Sequence, residues 1–209
     1  QEFGLYNSLN EHDACGTGAV CNISGKRDHN IIEIGNEILM NIQHRGAAGS
    51  DGLTGDGAGI LFQIPHEFFK EEVKFDLPER GKYAIAMVFG SKDTALRHRC
   101  DKKLEETVMR FGMKVLGWRE VKGDSSCLGE IARQAEPSIR QLFIDGCGLT
   151  GDEFERKLFV ARRATELAVE RSMGKEAGDF YITSMSSRTV NYKGMFLAPQ
   201  LFAYYPELH

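Results

Sequence analysis

A cysteine in an unusual setting is the first residue of this chain that could do chemistry. Cys15 ends the stretch Glu11-His12-Asp13-Ala14 and is followed by Gly16-Thr17-Gly18. If residues 1–14 were removed, the freed α-amine would have a pKa near ~8, close to ~8.5 for the thiol. Proton transfer from thiol to amine would then be nearly isoenergetic, which activates a nucleophile. Taken alone, the local motif favours a free cysteine buried at a strand edge, so the choice depends on the rest of the chain.

A second feature is the glycine-rich stretch from Arg45 to Gly59. It contains glycines at 46, 49, 52, 55, 57 and 59, a density that indicates unusual backbone angles or close backbone approach. No Lys-Ser/Thr pair follows, as a phosphate-binding P-loop requires, and the stretch leads into a predicted strand instead of a helix. Phosphate binding is therefore disfavoured. The glycines either shape a functional loop or only permit its turns.

The residues between these two features offer further candidates. Arg45 follows a predicted helix and precedes Gly46, so its guanidinium could grip a carboxylate or backbone carbonyls; the alternative is a surface salt bridge. His44 is predicted to interact with the last carbonyls of the helix. The serines at 184, 186 and 187 have no His or Asp in a triad pattern, so a serine nucleophile is discarded.

Composition limits the classes of partner. The chain has 209 residues, a net charge of -4 and a pI near 5.9, which predicts no nucleic-acid partner. No apolar stretch approaches the ~20 residues that cross a bilayer, so we expect a cytoplasmic protein without a membrane partner. Five cysteines without CxxC spacing predict neither a disulfide framework nor a metal site.

Hydrophobic periodicity predicts mixed strands and helices. The predicted strands are 18–23, 58–64, 83–89, 114–121, 139–144, 180–186 and 188–192, the last two as a hairpin. The predicted helices are 31–42, a short one after Pro65, 94–111, and 153–173 with Asp152 as its N-cap. Because no strict βαβ repeat is present, we expect one α+β domain with layered sheets.

Several separate blocks resemble the N-terminal glutaminase domain of glutamate synthase large subunits. This is a type-2 glutamine amidotransferase of the N-terminal-nucleophile (Ntn) hydrolase class. The blocks are Gly4-Leu5-Tyr6, His12-Asp13-Ala14-Cys15-Gly16, His44-Arg45-Gly46-Ala47, Thr54-Gly55-Asp56-Gly57-Ala58-Gly59-Ile60, Ile64-Pro65-His66-Glu67-Phe68-Phe69, Gly117-Trp118-Arg119-Glu120-Val121, Ile139-Arg140-Gln141, Ser186-Ser187-Arg188-Thr189 and Tyr192-Lys193-Gly194-Met195.

The resemblance implies an αββα sandwich, with residues 1–14 as a propeptide-like leader and 15–209 as the N-terminal part of the domain. It implies that Cys15 attacks L-glutamine, forms a γ-glutamyl thioester and releases ammonia. It places Arg45 and Gly46 as supports of the active site. Ammonia would pass to 2-oxoglutarate in a synthase domain that carries FMN and an iron-sulfur cluster, and this chain would hold no cofactor. Either ferredoxin or a nicotinamide could donate the electrons.

The family pattern also has a His-Ser-Arg-Phe segment and an Asn-Gly pair, and neither occurs in this sequence. We therefore expect a first half of the domain, incomplete at the C-terminus, inactive alone and prone to self-association through exposed apolar surface. One alternative is a stand-alone glutaminase subunit completed by another chain. Another is a non-catalytic regulatory or assembly module in which Cys15 is never unmasked.

Overall fold

The computed structural model describes residues 15–178 and 180–209, so the predicted leader at 1–14 lies outside the described residues. The α+β prediction is confirmed. The α-helices are α1 (Asn30–Asn41), α2 (His66–Glu72), α3 (Thr94–Arg110), α4 (Glu130–Gln134), α5 (Gly151–Met173) and α6 (Gln200–Tyr204). The strands are β1 (Ala58–Gln63), β2 (Tyr83–Gly90), β3 (Lys114–Glu120), β4 (Ser138–Asp145), β5 (Tyr181–Ser186) and β6 (Thr189–Gly194). Short 3₁₀ turns occur at Gln43–Arg45, Ser125–Cys127, Gly174–Ala177 and Pro206–Leu208.

The larger sheet is antiparallel with strand order β3-β4-β2-β5. Successive side chains of a strand point to opposite faces, and β2 is buried on both. Ala84 and Ala86 belong to the core that contains the buried residues of α3 and α5, whereas Ile85 and Met87 belong to the core shared with β6. This sheet therefore separates a helical layer from a second apolar core.

Helices α3 and α5 cover one face of the larger sheet. In α3, Asp93 caps the N-terminus by accepting a hydrogen bond from the Leu96 amide at 2.9 Å. The prediction that Asp152 caps α5 is wrong, because this helix begins at Gly151 after Thr150. Asp152 then lies within the first turn, where it forms an ion pair with Arg188.

The smaller sheet consists of β1 and β6, which pair antiparallel. The predicted hairpin of the last two strands is wrong, because β5 pairs with β2 and β6 pairs with β1. The chain crosses between the sheets at Ser187, whose amide and hydroxyl both donate to Glu155 at 2.7 and 2.6 Å. Each strand buries its apolar residues in a different core, Ile182 beside the helices and Val190 between the sheets.

The predicted strand at 18–23 is also wrong. Residues 15–22 have no regular secondary structure, and Ile23 is 99% exposed. No described strand pairs with this segment, so the segment makes no backbone ladder. It lies along α1, close enough that a Cβ at Gly18 would come within 2.2 Å of Ile38 Cγ2.

Candidate active site around Cys15

Cys15 lies at an open cleft. It is an exposed free thiol at the start of the segment that crosses α1. The cleft has a volume of about 1720 Å³ and is lined by this segment, α1, β1 and the end of β6. The alternative of a cysteine buried at a strand edge is therefore wrong. A small substrate can reach the Cys15 sulfur from this cleft.

Arg45 packs against Gly16, the residue that follows Cys15. A Cβ at Gly16 would lie 3.2 Å from both Cβ and Cγ of Arg45 and 3.3 Å from Ile42 Cδ1. Only glycine therefore allows this approach without displacement of the Arg45 stem. Among the described residues, the Arg45 guanidinium makes no hydrogen bond or ion pair, so the surface salt bridge considered from sequence is not formed there. Arg45 is near Cys15 through local packing.

Gly46 connects Arg45 to the glycine-rich loop. Its backbone is extended (φ -91°, ψ 161°), and its amide donates to the Gln43 carbonyl at 3.0 Å. A Cβ on Gly46 would lie 3.4 Å from Oδ1 of Asp56. Asp56 lines the same cleft as Cys15. Its place within the Thr54–Gly59 block was the only sequence signal for it.

The glycine-rich loop is shaped mainly by close backbone contact. A Cβ at Gly55 would lie 2.0 Å from the carbonyl oxygen of Phe196 and 2.3 Å from the amide nitrogen of Leu197. Gly52 and Gly57 have φ values of +69° and +133°, which L side chains rarely adopt. The glycines therefore serve both for turns and for packing against the chain after β6.

The other sequence candidates have structural partners. His44 Nδ1 lies 3.2 Å from the carbonyl oxygen of Asn41, the last residue of α1, as predicted for a helix end. Ser186 and Ser187 donate to Glu155. Across residues 15–178 and 180–209, no group of three or more His, Cys, Asp or Glu side chains could hold a metal ion. None of the helices described is long and apolar enough to cross a membrane.

A buried polar network at one side of the cleft could not be predicted from the sequence, although Arg119, Gln141 and Tyr192 lie in blocks of the family resemblance. Arg119 donates to both carboxylate oxygens of Glu207, at 3.1 and 2.6 Å, and to Gln141 Oε1 at 3.0 Å. The Tyr192 hydroxyl donates to Glu207 at 2.6 Å and accepts from Gln141 Nε2 at 2.9 Å. Burial, followed by the charge of Glu207, raises the pKa of Tyr192 above its usual value. The tyrosine therefore stays neutral and acts as a hydrogen-bond donor.

Comparison with known families identifies one match that covers nearly the whole chain. The model of the class-II glutamine amidotransferases matches residues 15–209. The match therefore includes the Cys15 segment, Arg45, the glycine-rich loop and both sheets.

Curated relatives are much longer proteins. The large chain of the NADPH glutamate synthase of Bacillus subtilis is 41% identical over 209 residues, covering 98% of this chain but 13% of the relative. The corresponding large chain of Azospirillum brasilense is 40% identical, covering 97% and 14%. The NADH glutamate synthase of Saccharomyces cerevisiae is 40% identical, covering 98% and 10%. The chain thus spans between a tenth and a seventh of the length of these relatives.

Proposed function

The chain belongs to the class-II glutamine amidotransferases, and we propose that it supplies the glutaminase nucleophile of a glutamate synthase. Relatives at about 40% identity that are glutamate synthases support this assignment. The structural observation that carries it is the position of Cys15, exposed at the cleft with Arg45 packed under the next residue. The substrate on this proposal is L-glutamine, and the products are glutamate and ammonia.

The proposed chemistry needs Cys15 to be the N-terminal residue of the mature protein, after removal of the leader at 1–14. The family match also starts at Cys15. While the leader is attached, the Cys15 nitrogen is a planar amide whose lone pair is delocalised, so it cannot accept the thiol proton. Once it is freed, the α-amine takes that proton as the sulfur attacks the side-chain amide carbon of glutamine. A carbon–sulfur bond forms and the carbon–nitrogen bond breaks. The proton passes from the amine to the departing nitrogen, which leaves as ammonia.

Water completes the reaction by attacking the γ-glutamyl thioester, which releases glutamate and restores the thiol. We propose that Arg45 supports the reaction by fixing the backbone at Gly16 through its aliphatic stem, with its guanidinium available for carbonyl or carboxylate groups. Gly46 supports it by joining Arg45 to the loop that brings Asp56 to the cleft, and a Cβ there would be in van der Waals contact with Asp56 Oδ1 at 3.4 Å. This mechanism uses no metal and no cofactor in the chain.

The remaining steps belong to regions outside this chain. We propose that ammonia reacts with 2-oxoglutarate in a synthase domain that carries FMN and an iron-sulfur cluster, in the cytoplasm. The Phe196 backbone fills the space next to Gly55, so no phosphate can lie against the loop at that glycine. We also propose that the two sheets are the inner layers of an αββα sandwich. Leu61 and Met195, 61% and 46% exposed at the cleft, are surfaces that the rest of the domain would cover. The isolated chain should self-associate through them, which light scattering measures.

Selective labelling tests the nucleophile. In the natural full-length protein processed to begin at Cys15, a diazoketone analogue of glutamine should alkylate Cys15 and abolish ammonia release. Cys21 is the matched control, because it is also exposed and lines the same cleft. Cys15→Ser should lose both activity and labelling, whereas Cys21→Ser should retain both. Equal labelling of the two thiols, or glutaminase activity in Cys15→Ser, would overturn the proposal and favour a non-catalytic module.

A further inference from the structure

The glycine-rich loop is a small hairpin that carries two groups of the proposed site at its base. Ala48 and Gly55 form a bridge, and the Asp56 amide donates to the Ala47 carbonyl at 3.1 Å. Gly46 precedes the hairpin, and Asp56 ends it at the cleft. The position of this hairpin therefore sets the positions of both residues relative to Cys15.

The tip of the hairpin is closed by Asp51 and Thr54. The Asp51 carboxylate accepts from the Thr54 hydroxyl at 2.6 Å, from the Thr54 amide at 2.8 Å and from the Leu53 amide at 3.1 Å. These hydrogen bonds hold the pKa of Asp51 well below its usual value, and the one from the Thr54 hydroxyl has the largest effect. Thr54 is only 5% exposed. Asp51 is thus ionised at ordinary pH and hydrogen-bonded to Thr54.

The same two side chains cap helix α4, about 80 residues further along the chain. Asp51 accepts from the Ile131 amide at 3.4 Å, and the Thr54 hydroxyl oxygen accepts from the Ala132 amide at 3.3 Å. The N-cap of α4 is Gly129, which has no side chain to satisfy these amides. A Cβ at Gly129 would lie 2.5 Å from the Thr54 hydroxyl oxygen, so the approach requires glycine.

A third contact holds the opposite side of the hairpin. Gln200, buried in α6, donates from Nε2 to the carbonyl oxygens of Leu53 and Cys127 at 2.8 and 2.7 Å. The hairpin is therefore attached to α4, to α6 and to the chain at Phe196, while only its base reaches the cleft. These contacts hold the hairpin at Asp51, Leu53, Thr54 and Gly55, so the positions of Gly46 and Asp56 at its base depend on them.

We propose that Asp51 and Thr54 are positioning residues for the Cys15 site, an inference that rests on the proposed glutaminase function. They act by holding the base of the hairpin, and they do not contact substrate. A displacement of a positioned group by about 1 Å can reduce a rate by about 100-fold. Loss of the Thr54 hydroxyl or the Asp51 charge should therefore slow reaction at Cys15 with glutamine-like reagents more than with small reagents that need no positioning.

The test compares two labelling rates at Cys15 in the natural full-length protein. Asp51→Asn and Thr54→Val should slow labelling by the diazoketone analogue of glutamine about 10- to 100-fold, with labelling by iodoacetamide nearly unchanged. Thr54→Ser keeps the hydroxyl and should restore the rate. Asp93→Ala is the matched control, because it removes the N-cap side chain from α3, on the far side of the larger sheet. This control should lose stability but keep both labelling rates.

The outcomes distinguish failure of the positioning role of Asp51 and Thr54 from failure of the proposed glutaminase function. If Asp51→Asn and Thr54→Val lose stability as Asp93→Ala does but label at the wild-type rate, the two residues are only structural and the inference is wrong. If Thr54→Val does not fold, Asp51→Glu decides, because it keeps the charge but moves the carboxylate by one methylene and should slow the analogue alone. If the analogue shows no preference for Cys15 in the unmodified protein, the proposed function itself fails.

Discussion

Replacing Arg119 by methionine should destabilise the protein strongly, because its partners Glu207 and Gln141 are buried, although a further partner, Glu72 at 3.0 Å, is 48% exposed. The side chains of Arg119 and Glu207 are 9% and 12% exposed. Arg119→Met would leave the Glu207 carboxylate with the Tyr192 hydroxyl as its remaining described donor, and Gln141 Oε1 would lose its donor. Burial alone would lower the pKa of Arg119, but hydrogen bonds to Glu207 outweigh this and raise it. The guanidinium is therefore charged at every accessible pH.

The expected cost follows from that geometry. Removing one partner of a buried ion pair costs about 3–5 kcal/mol because a charge is left without compensation. For a chain of this size, each kcal/mol lowers Tm by about 2–4 °C. Arg119→Met should therefore melt roughly 6–20 °C below wild type. Methionine keeps an apolar stem, but the guanidinium carbon lies 5.2 and 5.7 Å from the ring centres of Phe68 and Phe69, so the loss reports the polar contacts together with these cation–π contacts.

Thermal unfolding followed by circular dichroism measures this difference, with Arg188→Met as the control. Arg188 pairs with Asp152, but these side chains are 55% and 74% exposed. An exposed pair contributes about 0–1 kcal/mol, so the control should melt close to wild type. Both variants make the same residue change and remove one positive charge, but Arg119 loses a buried network whereas Arg188 loses one exposed ion pair. Equal melting temperatures for the two variants would refute the reasoning that burial makes the Arg119 network essential to stability.

Three further predictions concern the loop and the leader. Gly55→Ala should cost about 1–3 kcal/mol, since the new Cβ would lie 2.0 Å from the Phe196 carbonyl oxygen; urea unfolding measures it. Hydrogen bonds lower the pKa of Asp51, the largest contribution coming from the Thr54 hydroxyl. The ionised Asp51 side chain should therefore stabilise the folded protein fully above about pH 4, and this stabilisation should be lost as the pH falls toward the lowered pKa. The stability difference between wild type and Asp51→Asn should shrink accordingly. Intact-protein mass spectrometry of the 209-residue chain should show the leader still attached before Cys15, because cleavage needs oxyanion donors and the Asn-Gly pair to which the family resemblance gives that role does not occur in this sequence.

Each of these three predictions would be contradicted by a specific result. Gly90→Ala is the packing control for the loop variant, because its Cβ would meet nothing closer than Arg97 Cγ at 3.7 Å. An equal loss of stability in Gly55→Ala and Gly90→Ala would show that contact with the Phe196 backbone does not cause the destabilisation. A stability difference at Asp51 that stays constant down to pH 3 would contradict the role of the charge. A mass that starts at Cys15 would show that the chain processes itself.

The sequence by itself determined four of the six described α-helices, the glycine-rich loop and the family, and it missed only the five-residue helices α4 and α6. Helices α3 and α5 end within about two residues of their predicted bounds, because helical hydrogen bonds and apolar periodicity join residues three or four apart. The resemblance to glutaminase domains of glutamate synthases was readable from short blocks and is confirmed by the family match. The cysteine motif could also be found, because its signal is local.

Only the tertiary structure decided which distant residues meet. Strands β5 and β6 looked like a hairpin because they are adjacent in sequence, but each pairs with a strand about 100 or more residues earlier. The segment at 18–23 has strand-like composition, yet no described strand pairs with it. The cap that Asp51 provides for α4 and the contact of Gly16 with Arg45 are equally non-local. Strand pairing, capping across the chain and close backbone approach depend on three-dimensional distance, which residue type and spacing do not encode directly.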